Sequence, residues 1–108
     1  MKGRVVLHIR LKPGRASEFL QAYEAIRLQV SRDVKGHIID QVCRAIDDPQ
    51  NWLLTSEWEC IQLFLEWERA PQHRHLIQPM RECWDEAKST KYVVLLETGR
   101  AEQVVESH

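Results

Sequence analysis

The chain has 108 residues, with 15 Lys and Arg against 16 Asp and Glu and a formal net charge of −1. That length suits one compact domain with one core, and the interspersed charges form neither a basic stripe for nucleic acid nor an acidic tail. No apolar run approaches the roughly 18 residues of a membrane-spanning helix, and the opening MKGRVVLHIR is charged too early for a secretion signal. A cytoplasmic protein without a membrane partner is expected.

From Arg4 to Leu11 the odd positions Val5, Leu7, Ile9 and Leu11 are aliphatic, while Arg4, Val6, His8 and Arg10 occupy the even ones. This is the pattern of a strand with one apolar face. Lys12-Pro13-Gly14 ends it, and Phe19, Tyr23, Ile26 and Val30 then recur at helical spacing over a helix of about 15 residues. Gly36 punctuates. The β-branched run His37–Ala45 and the stretch Trp52–Trp58 read as two strands of a hairpin joined by the turn Asp47–Asn51.

After Trp58 the period returns to helical, with Cys60, Phe64 and Trp67 on one face. Pro71 stops this helix and starts the next, in which Leu76, Ile77, Met80 and Trp84 recur and Pro79 removes one backbone bond. Thr90–Thr98 reads as the last strand, apolar on both faces, and residues 99–108 as a tail.

The order is strand, helix, strand, strand, paired helix, strand: an α+β, ferredoxin-like βαββαβ domain over residues 1–98, with a four-stranded antiparallel sheet and a second helix broken in two. Right-handed crossovers put both helical segments on one side of the sheet and leave the other side bare. The run Val93, Val94, Leu95, Leu96 calls for burial of that second face, and a second copy of the sheet is the simplest cover, so a homodimer is expected. His8, between Arg4 and Arg10, falls on that interface face. The three cysteines, Cys43, Cys60 and Cys83, are odd in number and unpaired in spacing, as for reduced, mostly buried thiols rather than a disulfide framework or zinc site.

The segments L-K-P-G after the first strand, V-K-G-H before the second, S-E-W-E closing the third and A-P-Q-H after the aromatic-rich helix resemble the antibiotic biosynthesis monooxygenase family, whose members are dimeric α+β barrels. The family's heme-degrading branch uses a first-strand asparagine, a helical tryptophan and an iron-ligating histidine ten residues later. Trp67 matches that tryptophan, but Leu7 and Ile77 occupy the other two positions. The branch of cofactor-independent oxygenases, which turn anthrone-type aromatic polyketides into quinones, keeps a tryptophan closing the third strand, matched by Trp58. Its aromatic six residues on is Phe64, its asparagine four residues before is replaced by Leu54, and Arg74 and Arg81 lie near the position of its helical arginine.

The resemblance implies a monooxygenase of secondary metabolism that needs no cofactor and no metal, with a small aromatic substrate and dioxygen as partners. Such a protein buries a flat ligand, aims donors at its anion and holds a base. Trp58, His73 and Arg81 are the expected catalytic residues, His73 as base because imidazole titrates near neutrality. Trp67, Phe64, Ser56, Gln41, Leu7 and Ile77 are the expected substrate contacts. Asp40 and Gln41 are adjacent, so strand alternation turns one of them to the helices, and Ile38 with Val42 competes with Ile39 and Cys43 for the same face. His73 and His75 diverge by about 200° on a helix and cannot share one metal ion there. A polyketide cyclase of the same fold and a non-catalytic ligand-binding subunit are the alternatives, the latter because Leu54 and Phe64 leave the pocket poor in polar groups.

Overall fold

The structure, a computed structural model, describes residues 1–99. The expected tail, after Gly99, lies outside the described residues. The elements are β1 (Gly3–Leu11), α1 (Ala16–Asp33), β2 (His37–Arg44), β3 (Asn51–Trp58), α2 (Ile61–Arg69), α3 (Pro71–Arg81) and β4 (Trp84–Val93). The sheet order is β2-β3-β1-β4 with every neighbour antiparallel, the ferredoxin-like arrangement.

Alternation on β1 works as the sequence implies: Val5, Ile9 and Leu11 are buried under the helices, whereas Arg4, His8 and Arg10 are exposed on the outer face. In register with them, β3 turns Trp52, Leu54, Ser56 and Trp58 inward. Phe19 of α1 is fully buried against this face, one helical turn before Tyr23. Two close approaches require glycine. A Cβ on Gly3 would stand 2.7 Å from the Ile61 Cα, so α2 can start directly against β1. Gly36 has φ +85° and packs against Leu63, where an L side chain would be both strained and crowded.

Ala70 joins α2 to α3 in an extended conformation, φ −69° and ψ 138°. Pro71 imposes this, because its ring excludes helical geometry from the residue before it. Proline is then well placed at the start of α3, and Pro79 falls near that helix's end.

Three expectations are corrected. Trp84 belongs to no helix: α3 ends at Arg81, the Cys83 N–H turns back to the Met80 carbonyl, and Trp84 begins β4, paired with Leu11 across a bulge. The last strand is Trp84–Val93 rather than Thr90–Thr98. After it, the Val94 N–H donates to the Lys2 carbonyl, and Leu95 and Leu96 stand exposed outside the strand. Of the thiols only Cys83 is buried, and Cys43 is exposed on the outer face.

The core is two clusters. One holds Ile9, Leu11, Phe19, Trp52, Met80 and Cys83; the other holds Val5, Trp58 and Phe64, extended by Trp67, Leu63 and Ile61. The space between them is the candidate site. No helix among the described residues is long and apolar enough to cross a membrane.

Candidate functional site

A cavity of about 380 Å³ opens between the sheet and α2 and α3, within the range of about 300–1,000 Å³ typical of small-molecule sites. Leu7 of β1, Leu54 and Ser56 of β3 and Ala87 and Ser89 of β4 form its floor; Phe64, His73, Ile77 and Met80 form its roof. A smaller cavity of about 90 Å³ adjoins it towards α1 and β2, sharing Leu54, Ser56, Phe64, His73, Ile77 and Met80 and adding Trp58, Trp67, His37 and Asp40. The helical period makes the roof. His73, Ile77 and Met80 follow at i, i+4 and i+7 on α3, as Phe64 and Trp67 do at i and i+3 on α2.

Trp58 is 2% exposed and sits in a stack of edge-on rings. Its centroid lies 5.3 Å from that of His37 and 5.3 Å from that of Phe64. Its indole N–H donates to Ser56 Oγ at 2.9 Å. The indole proton is therefore already engaged. The Ser56 oxygen accepts it, which leaves the serine hydroxyl proton as the free donor at a position shared by both cavities.

His73 is half-buried and meets the Trp67 ring edge-on, with centroids 5.3 Å apart. Burial lowers its pKa below the ordinary imidazole value of 6.5; Glu68 opposes the shift and Arg81 adds to it. A neutral ring at neutral pH can accept a proton. His75, two residues on, points away, exposed and lining a surface groove with Arg74. Among the described residues no three His, Cys, Asp or Glu side chains converge as for a metal ion.

The structure brings Trp58, His73, Arg81, Trp67, Phe64, Ser56, Leu7 and Ile77 together around the two cavities. Gln41 is not among them. It pairs with Thr55 on the outer face and is exposed. The cause is a register shift between His37 and Ile39, which puts Asp40 opposite Ser56 and hence under the helices.

Sequence reasoning therefore missed a polar group: the Tyr23 hydroxyl donates to Asp40 Oδ1, and His37 Nε2 stands 3.4 Å from Asp40 Oδ2. Burial pushes the Asp40 carboxyl up, but the facing His37 and Tyr23 outweigh it and hold the carboxyl below its usual range. Burial, followed by the Asp40 contact, pushes the Tyr23 hydroxyl well above the ordinary phenol value. A bulge leaves no mark in a period-2 pattern, so only the pairing of Tyr23 on a helix's inner face with an acid in a strand signalled the group.

The family model for "antibiotic biosynthesis monooxygenase" matches residues 3–79. Among curated proteins the chain is similar to a 42.8 kDa protein in the whiE locus of Streptomyces coelicolor, 43% identical over 95 residues, 88% of this chain and 24% of that protein. It is also similar to the polyketide synthase CurD of Streptomyces cyaneus, 33% identical over 96 residues, 89% of this chain and 25% of that one. The chain thus spans about a quarter of the length of these curated relatives. In fold it resembles SnoaB, a cofactor-independent oxygenase from Streptomyces nogalater, with TM-score 0.76 at 12% identity over 89% of this chain and 95% of that one. A candidate antibiotic biosynthesis monooxygenase from Bordetella bronchiseptica superposes with TM-score 0.78 at 20% identity, covering 88% and 98% of the two chains. With a family model aligned over most of its length and the same sheet and helix topology, this chain belongs to the antibiotic biosynthesis monooxygenase family.

Proposed function

We propose that the protein is a cofactor-independent monooxygenase that oxidises a polycyclic aromatic polyketide, an anthrone-type phenol, to the quinone. The observation that carries the reading is the aromatic-walled cavity with the half-buried His73 in its roof and the free Ser56 hydroxyl in its floor. A flat ligand fits between Leu7 and Leu54 below and Phe64 and Ile77 above, with Trp67 and Trp58 closing the far wall.

In this reading His73 takes a proton from the anthrone, and the negative charge collects on the ligand oxygen. The Ser56 hydroxyl and the Arg81 guanidinium stabilise it. Trp58 is a positioning residue, because its N–H fixes the Ser56 oxygen. The anion gives an electron to dioxygen, the two radicals combine at the carbon that lost the proton, the peroxide takes back the proton held by His73, and the hydroperoxide loses water as that carbon's remaining C–H bond and the O–O bond break. One CH₂ and one O₂ become one C=O and one H₂O, so the substrate supplies all the electrons. Low polarity in the cavity keeps bulk water from the anion.

The test is oxygen consumption. Purified protein with anthrone should take up one oxygen per quinone formed, with chelator present. No uptake above background on anthrone or a naphthacenone overturns the proposal, and ring closure without oxygen uptake identifies a cyclase instead.

The reading also takes the protein as a homodimer through the outer sheet face, where Ile39 is 47% and Tyr92 50% exposed. Tyr92→Asp should then sediment as a monomer where the parent protein sediments as a dimer. A parent protein that is already monomeric at micromolar concentration overturns this part.

A further inference from the structure

The His37 side chain is only 4% exposed, yet among the described residues neither ring nitrogen has an aligned hydrogen-bond partner. The Asp40 carboxylate, 3.4 Å from Nε2, attracts the ring without forming a well-directed bond. A buried imidazole that has lost its water without a replacement is destabilising by about 1–3 kcal/mol, so such a group calls for a partner. The partner has a place to be. His37 lines the smaller cavity, whose 90 Å³ is several times the roughly 10–15 Å³ that one ordered water needs.

The surroundings fix which kind of partner. Asp40 is held ionised, accepts the Tyr23 hydroxyl proton at one oxygen and faces His37 Nε2 with the other. A carboxylate beside Nε2 favours the tautomer with the proton there and leaves Nδ1 as an acceptor. The ring is also clamped edge-on against Trp58, interplanar angle 84°, so it cannot turn freely to satisfy itself. An acceptor nitrogen at the end of an aromatic-walled space matches a hydroxyl on an aromatic ring.

We propose that His37, oriented by Asp40 and Tyr23, is a second polar anchor of the pocket that accepts a hydrogen bond from a phenolic hydroxyl on the ligand ring farthest from Arg81. The ligand class is then a multi-ring phenol with a hydroxyl on its distal ring, and a bare polycyclic ring system binds more weakly. The inference rests on the reading that the pocket holds an aromatic ligand, but not on its oxygen chemistry.

The experiment compares two near-isosteric probes, 2-naphthol and 2-methylnaphthalene, by tryptophan fluorescence with the parent protein, His37→Phe and Tyr23→Phe. The parent protein should bind the naphthol about tenfold more tightly, the worth of one buried hydrogen bond. His37→Phe should bind both probes alike, with the hydrocarbon affinity kept within about twofold. Tyr23→Phe should reduce the preference only in part. In the parent protein the ¹⁵N resonance of His37 Nδ1 should move on adding naphthol and stay on adding methylnaphthalene, which keeps the test available if a variant fails to fold. Equal affinities in the parent protein, a preference that survives His37→Phe, an unmoved Nδ1 resonance, or no binding of either probe overturns the proposal. Preference for naphthol without any oxygen uptake on anthrone leaves this anchor standing and overturns the oxygenase alone.

Discussion

Trp52 and Trp58 stand six residues apart on the same face of β3, and at 4% and 2% exposure they are almost equally buried. Their partners differ. The Trp52 N–H donates to the Pro49 carbonyl in the turn before it, its ring meets the edge of Phe19 at 5.7 Å, and the Arg44 guanidinium lies 6.0 Å from its centroid. Neither Trp52 nor Phe19 lines either cavity, so this end of the core is closed. Trp58 instead bonds a side chain, Ser56, that lines both cavities, and it touches two rings, Phe64, which lines both as well, and His37, which lines the smaller. Burial alone does not separate a core tryptophan from a pocket tryptophan. What the indole proton is bonded to does: backbone at Trp52, where geometry is fixed, and a cavity-lining hydroxyl at Trp58.

The largest expected effect breaks the closed half. Trp52→Ala leaves a hole between Phe19, Ile9 and Met80 and should cost about 3–5 kcal/mol of stability, read from the urea midpoint. A loss below about 1 kcal/mol contradicts the view of this cluster as the rigid part of the fold.

In the open half the corresponding change is in rate. His73→Phe keeps a ring against Trp67 but removes the base, so oxygen uptake on anthrone should fall by about a hundredfold or more while the urea midpoint moves little. The pH dependence has a definite sign. A base must be neutral to act, and burial depresses the His73 pKa, so the acid limb of kcat/KM should have its midpoint below 6.5. A midpoint at or above that value assigns the limb to another group. Ser56→Ala is smaller. It removes the free donor and releases the Trp58 N–H, and kcat/KM should drop about tenfold, with Ser56→Thr recovering most of it because the hydroxyl returns.

The two halves were not equally legible in the sequence. Alternation on β1 and β3 and helical spacing of Phe19, Tyr23, Phe64 and Trp67 are strong periodic signals, and they place the core and most of the pocket wall. β4 hid because it is an edge strand rich in charge, Asp85, Glu86, Lys88 and Lys91, so its apolar alternation is lost. Trp84 misled for a geometric reason: it lies four residues after Met80 and prolongs the helical period although the chain has already turned. The resemblance pointed to Trp58 and Arg81, which line the smaller and the larger cavity respectively. It carried nothing about His37, Asp40 and Tyr23, which depend on a bulge, and bulges follow from how two strands meet rather than from either strand alone.

That bulge makes the smallest and most local test. Asp40 and Gln41 are neighbours in sequence on opposite faces of β2. Gln41→Ala should change stability by no more than about 0.5 kcal/mol and leave naphthol affinity untouched. Asp40→Asn should destabilise at neutral pH, because the native carboxyl has a pKa below its ordinary value of 3.8. A depressed carboxyl stabilises the fold above the unfolded-state pKa and loses that contribution as pH falls through the folded value. The gap between parent and Asp40→Asn urea midpoints should thus be present at pH 5 and close towards pH 3. Asp48 and Glu18 are also depressed, through Gln50 and Arg15 respectively, and weaken the parent protein over the same range. Both remain in the variant, so they cancel from the difference. Gln41→Ala should run parallel to the parent protein at every pH; a loss of more than about 1 kcal/mol in that variant instead would put Gln41 under the helices.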